Sequence, residues 1–269
     1  RSVVGTGSTI YINDVEPGIG GKLQFGSEEE SALIQAIKFG PEEKIRVTPN
    51  GIKVDTFEGI PGKSEEEEAY INAGAVLRVT PIKDVKTMIQ AFAFAKKSVP
   101  KLKLWIMGPT DEDEAYAQEC FDLVKALGVE DVEFTGRVNV KDYLGKMDFT
   151  LLTSISEGQP LTILESYAAH KPVIATDVGN CRELIYGNDD GFGSAGILTH
   201  IMNIEEIAQA MITMTEDQEE RERMGEAGYK RVNAFYRIEQ MKDVYREIYK
   251  ELSDKQKLTW TEEPFVLRR

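Results

Sequence analysis

The stretch that decides the fold is "DFTLLTSISEGQPLTILESYAAHKPVIATD", residues 148–177. "DFTLLTS" is a short apolar run of strand type. "LTILESYAAH" carries its apolar residues at helical spacing, and "PVIATD" is a second apolar run. A strand, a turn, a helix and a strand in such short order form the repeating unit of a parallel sheet. The turn is unusual. Pro160 stands where the first helical residue is expected, a position at which its missing N–H does no harm. Gly158 lets the backbone approach a ligand closely. The first-turn N–H groups and the helix dipole suit an anion. Glu157 precedes that turn, and Glu165 follows about one and a half turns into the helix. A carboxylate there repels phosphate but accepts hydrogen bonds from ribose or sugar hydroxyls.

The same alternation extends outward on both sides. "AGAVLRV" (73–79), "KLWIMG" (103–108), "VEFTG" (132–136) and "AGILT" (195–199) read as strands. Between them, "VKTMIQAFAFAKKSV", "EAYAQECFDLVKALG" and "VKDYLGKM" read as helices, with Gly128 at a left-handed C-cap. Short Val/Ile/Leu-rich strands alternating with helices predict a doubly wound, Rossmann-like α/β domain with a parallel sheet covered on both faces. After residue 203 three amphipathic helices are predicted, and the tail has apolar residues around Trp260 and Phe265. Before residue 69 the pattern is less regular. "STIYIND" and "KIRVTPNGI" read as short strands, "EEESALIQAIKFG" as a helix, and Ile52–Glu68 as a linker. The expected division is therefore an irregular N-terminal segment, 1–68, and the sheet domain with its C-terminal helices, 69–269.

Composition narrows the partners. The 269 residues carry 46 acids against 32 bases, a net charge of −14, which argues against general nucleic-acid affinity. Acidic runs such as "SEEEEAY" (64–70) and "TDEDEAY" (110–116) read as solvated faces and loops. Cys120 and Cys181, without CxxC spacing, predict no disulfide framework and make a cytoplasmic setting the expectation. No apolar run reaches the roughly 18 residues of a spanning helix. At the rim of the sheet, Arg78 falls at a strand end and Lys83 at the start of the next helix. Those two cations and an anion-receptive helix terminus can neutralise a diphosphate without a metal ion.

These residues carry a resemblance. "SEGQPLTILES" resembles the E-x7-E element of retaining GT-B glycosyltransferases of family four. "RVTPIKDVKTMIQAF", "IMGPTDEDEAYAQEC", "VEFTGRVNV" and "ATDVGNCRELIYG" are similar to the subgroup represented by the Pel exopolysaccharide glycosyltransferase. The likeness runs from about residue 44 to about residue 250. It implies that Arg78 and Lys83 grip a donor diphosphate and that Glu165 takes the ribose hydroxyls. Glu157, with the backbone of Gly158, Gln159, Pro160 and Leu161, would face donor sugar and phosphate. The backbone at Arg137–Val138 would meet the base. The implied reaction moves a hexose from a nucleotide sugar, UDP-glucose first among the candidates, with retention and without a metal cofactor. The acceptor is an unspecified glycan, and a membrane-associated polysaccharide synthase complex is the implied setting.

The sequence also departs from that pattern. About seventy residues precede the sheet domain, too few for a first Rossmann-like domain of ordinary size. The chain is expected either to be a fragment or to have a reduced acceptor half. Its leading rival reading is a catalytically silent nucleotide-sugar-binding module that needs a partner chain. A third reading is an α/β domain whose rim charges are merely solvated. His170 stands where the family pattern has glycine, and reads as a variant helix cap. Asp111-x-Asp113 literally matches the metal-binding motif of the other glycosyltransferase fold, GT-A, but reads here as an acidic loop entering a helix. His200 reads as a surface residue, and Cys181 lacks a histidine nearby that would activate it.

Overall fold

A computed structural model describes residues 2–6, 9–13 and 45–256. Strands β1 (Ser2–Thr6) and β2 (Thr9–Asn13) pair antiparallel, and β3 (Ile45–Val47) runs parallel to β2. The helix expected over "EEESALIQAIKFG" and the tail beyond residue 256 lie outside the described residues.

The rest is the doubly wound domain that the alternation predicts. Its strands are β4 (Ile71–Val76), β5 (Leu102–Met107), β6 (Val132–Gly136), β7 (Phe149–Leu152), β8 (Val173–Thr176) and β9 (Gly196–Thr199). They form one parallel sheet of six strands in the order β6-β5-β4-β7-β8-β9. The connecting helices are α1 (Val85–Ser98), α2 (Glu114–Leu127), α3 (Lys141–Leu144), α4 (Leu161–Ala168) and α5 (Cys181–Tyr186). Three more, α6 (Ile204–Glu216), α7 (Gln218–Phe235) and α8 (Ile238–Gln256), follow the last strand. Among the described residues no helix is long and apolar enough to cross a membrane.

The two-residue period of a strand sorts side chains between two cores. Phe149 and Leu151 of β7 join Met88, Phe92 and Met211, the face covered by α1 and α6. Leu152 points the other way, with Leu164, Tyr167, Leu184 and Val232 of α4, α5 and α7. Strand order reverses between β4 and β7, so the loops leaving them diverge and open a crevice outside their carboxyl ends, where ligands of such sheets bind.

The first strand of the sheet starts earlier than the apolar run suggests, at Ile71, and its regular ladder ends at Val76. Residues 77–79 continue beside the exit of β5, with Leu77 N–H donating to Met107 O at 3.0 Å and Val79 N–H to Pro109 O at 2.9 Å. Gly108 makes that approach possible, since a Cβ there would lie 1.8 Å from Leu77 O. Leu77 and Val79 are buried and Arg78 is exposed between them, on the rim. The stretch expected as a linker is seated on the domain at its start. A 3₁₀ turn over Val54–Phe57 buries both terminal side chains in the core beside α4. The two apolar residues override the local Gly/Pro signal because burial there offsets the entropy of ordering the loop.

Candidate functional site

The crevice is stitched shut at its base. Ile155 N–H, beyond β7, donates to Ile82 O at 2.9 Å, and Thr153 Oγ1 donates to Lys83 O at 2.9 Å. Lys83 therefore sits in a 3₁₀ turn, Pro81–Lys83, just before α1 and not in its first turn. Asp84 separates the two elements in a left-handed conformation, φ 45°. Lys83 Nζ lies 2.6 Å from Glu157 Oε1, and the two side chains are 17% and 10% exposed. Two residues 74 apart in sequence thus form a largely desolvated ion pair at the point where the sheet changes direction.

The other cations are paired as well. Arg78 Nη1 donates to Glu112 Oε2 at 3.0 Å, and Arg137 Nη2 donates to Asp111 Oδ1 at 3.1 Å and approaches Glu112 at 3.8 Å. The acidic loop after β5 accordingly bridges the loops after β4 and β6. Asp113 accepts from Tyr116 N–H at 3.0 Å as the N-cap of α2. The Asp111-x-Asp113 pair is therefore divided between a salt bridge and a helix cap, as the acidic-loop reading expects.

Helix α4 begins one residue later than the sequence suggests. Pro160, extended at ψ 117°, is the N-cap, and Leu161 is the first helical residue. The turn before it is clasped from a distance. Asn50 N–H donates to Gln159 Oε1 at 2.5 Å and Asn50 Nδ2 to Gln159 O at 3.1 Å. From the other side, Asn180 N–H donates to Gly158 O at 2.9 Å. Gly179, at φ 53°, lies so close that a Cβ would meet Glu157 O at 2.2 Å. Glu165 is half-buried on α4, and among the described residues its carboxylate has no hydrogen-bond partner. Burial pushes it above its ordinary carboxylate range, with the field of Lys141 opposing. A carboxylate without a protein partner is suited to hydroxyl donors.

The family model for "Glycosyl transferases group 1" matches residues 56–231, most of the chain. The chain belongs to this family. It is 33% identical over 190 residues to the N-acetyl-alpha-D-glucosaminyl L-malate synthase of Bacillus anthracis, covering 70% of this chain and 46% of that protein. It is 27% identical over 210 residues to the D-inositol 3-phosphate glycosyltransferase of Kineococcus radiotolerans, covering 71% and 48%. The chain thus spans about half the length of these relatives. Among solved structures, Anabaena Alr3699/HepE in complex with UDP superposes with a TM-score of 0.70 at 21% identity, covering 84% of this chain and 62% of that one. The sucrose-phosphate synthase of Thermosynechococcus elongatus gives 0.70 at 20% identity, covering 84% and 57%. At such identities the likeness establishes the fold, a Rossmann-like sheet of the GT-B glycosyltransferase type.

The remaining candidates of this group 1 glycosyl transferase have their own places in the domain. His170 adopts φ 56° directly after α4, stacks on Tyr229 at 3.7 Å and lies 3.3 Å from Glu226, which fits the cap reading. His200 is exposed and bonded to Glu206. Burial pushes the Cys120 thiol up to about 11 and the Cys181 thiol further, so neither is a ready thiolate. Val138 follows Arg137 in the loop after β6, half-buried. Sequence reasoning missed Asn50, Ser154, Thr176 and Glu112. The Asn50–Gly51 pair signals a turn, but its grip on a residue 109 positions away has no local signature.

Proposed function

We propose that this group 1 glycosyl transferase binds a nucleoside diphosphate sugar, with UDP-glucose the expected donor, and transfers its hexose with retention to a glycan acceptor. The setting proposed is cytoplasmic exopolysaccharide synthesis, beside a membrane-associated polysaccharide synthase. The observation that carries the reading is the Lys83–Glu157 ion pair at the switch point, with the start of α4 on one side and the unpartnered Glu165 carboxylate further along that helix. Arg78 and Lys83 take the diphosphate, in place of a metal ion, as each exchanges part of its carboxylate contact for phosphate oxygens. Glu165 accepts from the ribose hydroxyls, and the backbone at Arg137–Val138 meets the base. Glu157 holds the donor sugar, and the departing phosphate assists the incoming hydroxyl, so no protein nucleophile is required.

Calorimetric titration with UDP and UDP-glucose tests the reading directly. Absence of heat at millimolar UDP would sink it. Hydrogen bonds to a charged group contribute about 1.5–3 kcal/mol, so Glu165→Ala is expected to weaken UDP about tenfold or more. The 2′,3′-dideoxy analogue of UDP should bind both proteins alike, and a parallel loss for that analogue would remove Glu165 from the ribose. Slow donor hydrolysis or transfer that disappears in Glu157→Ala separates an enzyme from a module that only binds.

The pairing of Arg78 with Glu112 adds a second expectation. A surface pair of this kind is worth about 0–1 kcal/mol, so Glu112→Gln should tighten UDP about threefold by releasing Arg78. In an Arg78→Ala background the same change should have no effect. An equal gain in both backgrounds would mean that Glu112 acts by its general charge and not through Arg78.

A further inference from the structure

We infer that Ser154 is a positioning residue for Glu157: together with Lys83 it occupies one carboxylate oxygen and so directs the other at the donor hexose. The inference rests on the proposed donor reading and adds to it a residue that does not touch the donor. Ser154 is fully buried. Its Oγ donates to Glu157 Oε1 at 2.5 Å, and Lys83 Nζ donates to that same oxygen at 2.6 Å. Among the described residues Oε2 accepts nothing, although the Glu157 side chain is only 10% exposed. Two charge-assisted bonds converging on one oxygen fix the plane and aim of a carboxylate while leaving the second oxygen its full acceptor capacity.

Ser154 is itself held. Its carbonyl accepts from Thr176 Oγ1 at 2.6 Å, and Thr176 is fully buried at the end of β8. A buried hydroxyl needs a partner, and the Glu157 carboxylate is the acceptor this one has. The polar chain Thr176–Ser154–Glu157–Lys83 therefore ties the exits of β8, β7 and β4 together. The backbone of 157–158 is pinned independently by the Gly179–Asn180 turn. With both backbone and side chain fixed, the free oxygen is pre-organised to accept from sugar hydroxyls, which is where such aiming affects donor binding and rate.

The test compares UDP with UDP-glucose by calorimetry in the intact chain. Ser154→Ala is expected to weaken UDP-glucose about tenfold while UDP stays within about twofold. Glu157→Gln should show the same loss of UDP-glucose relative to UDP, and the double variant should be no worse in that ratio than Glu157→Gln alone. A merely structural serine would weaken both ligands equally and add to Glu157→Gln. Either of those results, or an unchanged Ser154→Ala, overturns the inference. Should Ser154→Ala fail to fold, Thr176→Ala keeps the hydroxyl but loosens its carbonyl anchor, and the same selective loss of smaller size is expected. Wild-type protein that binds neither ligand refutes the donor reading itself, a result distinct from wild-type binding with unaltered variants.

Discussion

Lys83→Ala is expected to weaken UDP binding about 100-fold, the largest loss of any single site substitution here. Truncating one member of a desolvated, hydrogen-bonded charge pair costs about 2–5 kcal/mol, much of it from the partner left behind. In this case Glu157 would keep only its bond from Ser154, and its negative charge would stand uncompensated where the diphosphate must enter. Lys83→Arg should fail to restore binding. The ammonium is a compact donor 2.6 Å from Oε1 on a side chain 17% exposed, and a planar guanidinium cannot occupy that place without moving the turn. Glu157→Gln in the Lys83→Ala background should recover part of the affinity for UDP by removing the stranded charge. Binding of UDP by Lys83→Ala within threefold of wild type would exclude Lys83 from the diphosphate site.

The second large effect concerns stability. Arg231 on α7 is 1% exposed and closes the loop between α5 and β9. Its Nε lies 2.5 Å from Asp190 Oδ2, its Nη2 bonds Asp190 Oδ1 and Gly193 O, and its Nη1 bonds Leu184 O and Ile185 O. Arg231→Ala should destabilise the domain by about 3–5 kcal/mol, because it leaves the buried Asp190 carboxylate without its cation and takes a donor from three carbonyls. For a domain of this size that is a fall in Tm on the order of 10 °C. Asp190 adds a pH signature. Arg231 holds its carboxyl below the usual range, so the pair's stabilisation is present above the unfolded carboxylate pKa and is lost as pH falls through the lowered folded one. The gap in denaturant midpoint between wild type and Arg231→Ala should therefore narrow in acid. A gap that stays constant down to low pH would mean the arginine acts by packing alone.

The sheet domain was legible because its signals are local. Runs such as "KLWIMG" and "PVIATD" lack charge in their strand centres, and α1 repeats apolar residues at every turn. Where the reading slipped, a long-range contact had decided the outcome. The strand ladder ends at Val76 because Gly108 lets the following residues lean on β5, and Val54 and Phe57 order a stretch whose glycines suggest a loop. Helix α5 is six residues long and carries no periodic pattern of its own. For the site, residue types and rough placement could be read, since Arg78, Lys83, Glu157 and Glu165 lie at element ends or on the first turns of a helix. Their pairing could not. That Lys83 meets Glu157 while Arg78 meets Glu112 depends on which loops the strand order makes neighbours, and no spacing in the chain encodes it.

The chain enters the sheet domain beside the point at which it passes from α7 to α8. Ile52 N–H donates to Tyr236 O at 2.9 Å, and Ile238 N–H returns the bond to Ile52 O at 2.8 Å. Gly51 is obligatory there, since a Cβ would meet Arg237 O at 2.8 Å. The domain between those two points is topologically a closed loop whose ends already touch. Joining them would add little closure entropy, so a circular permutant opened at an exposed turn is a natural rearrangement of this unit.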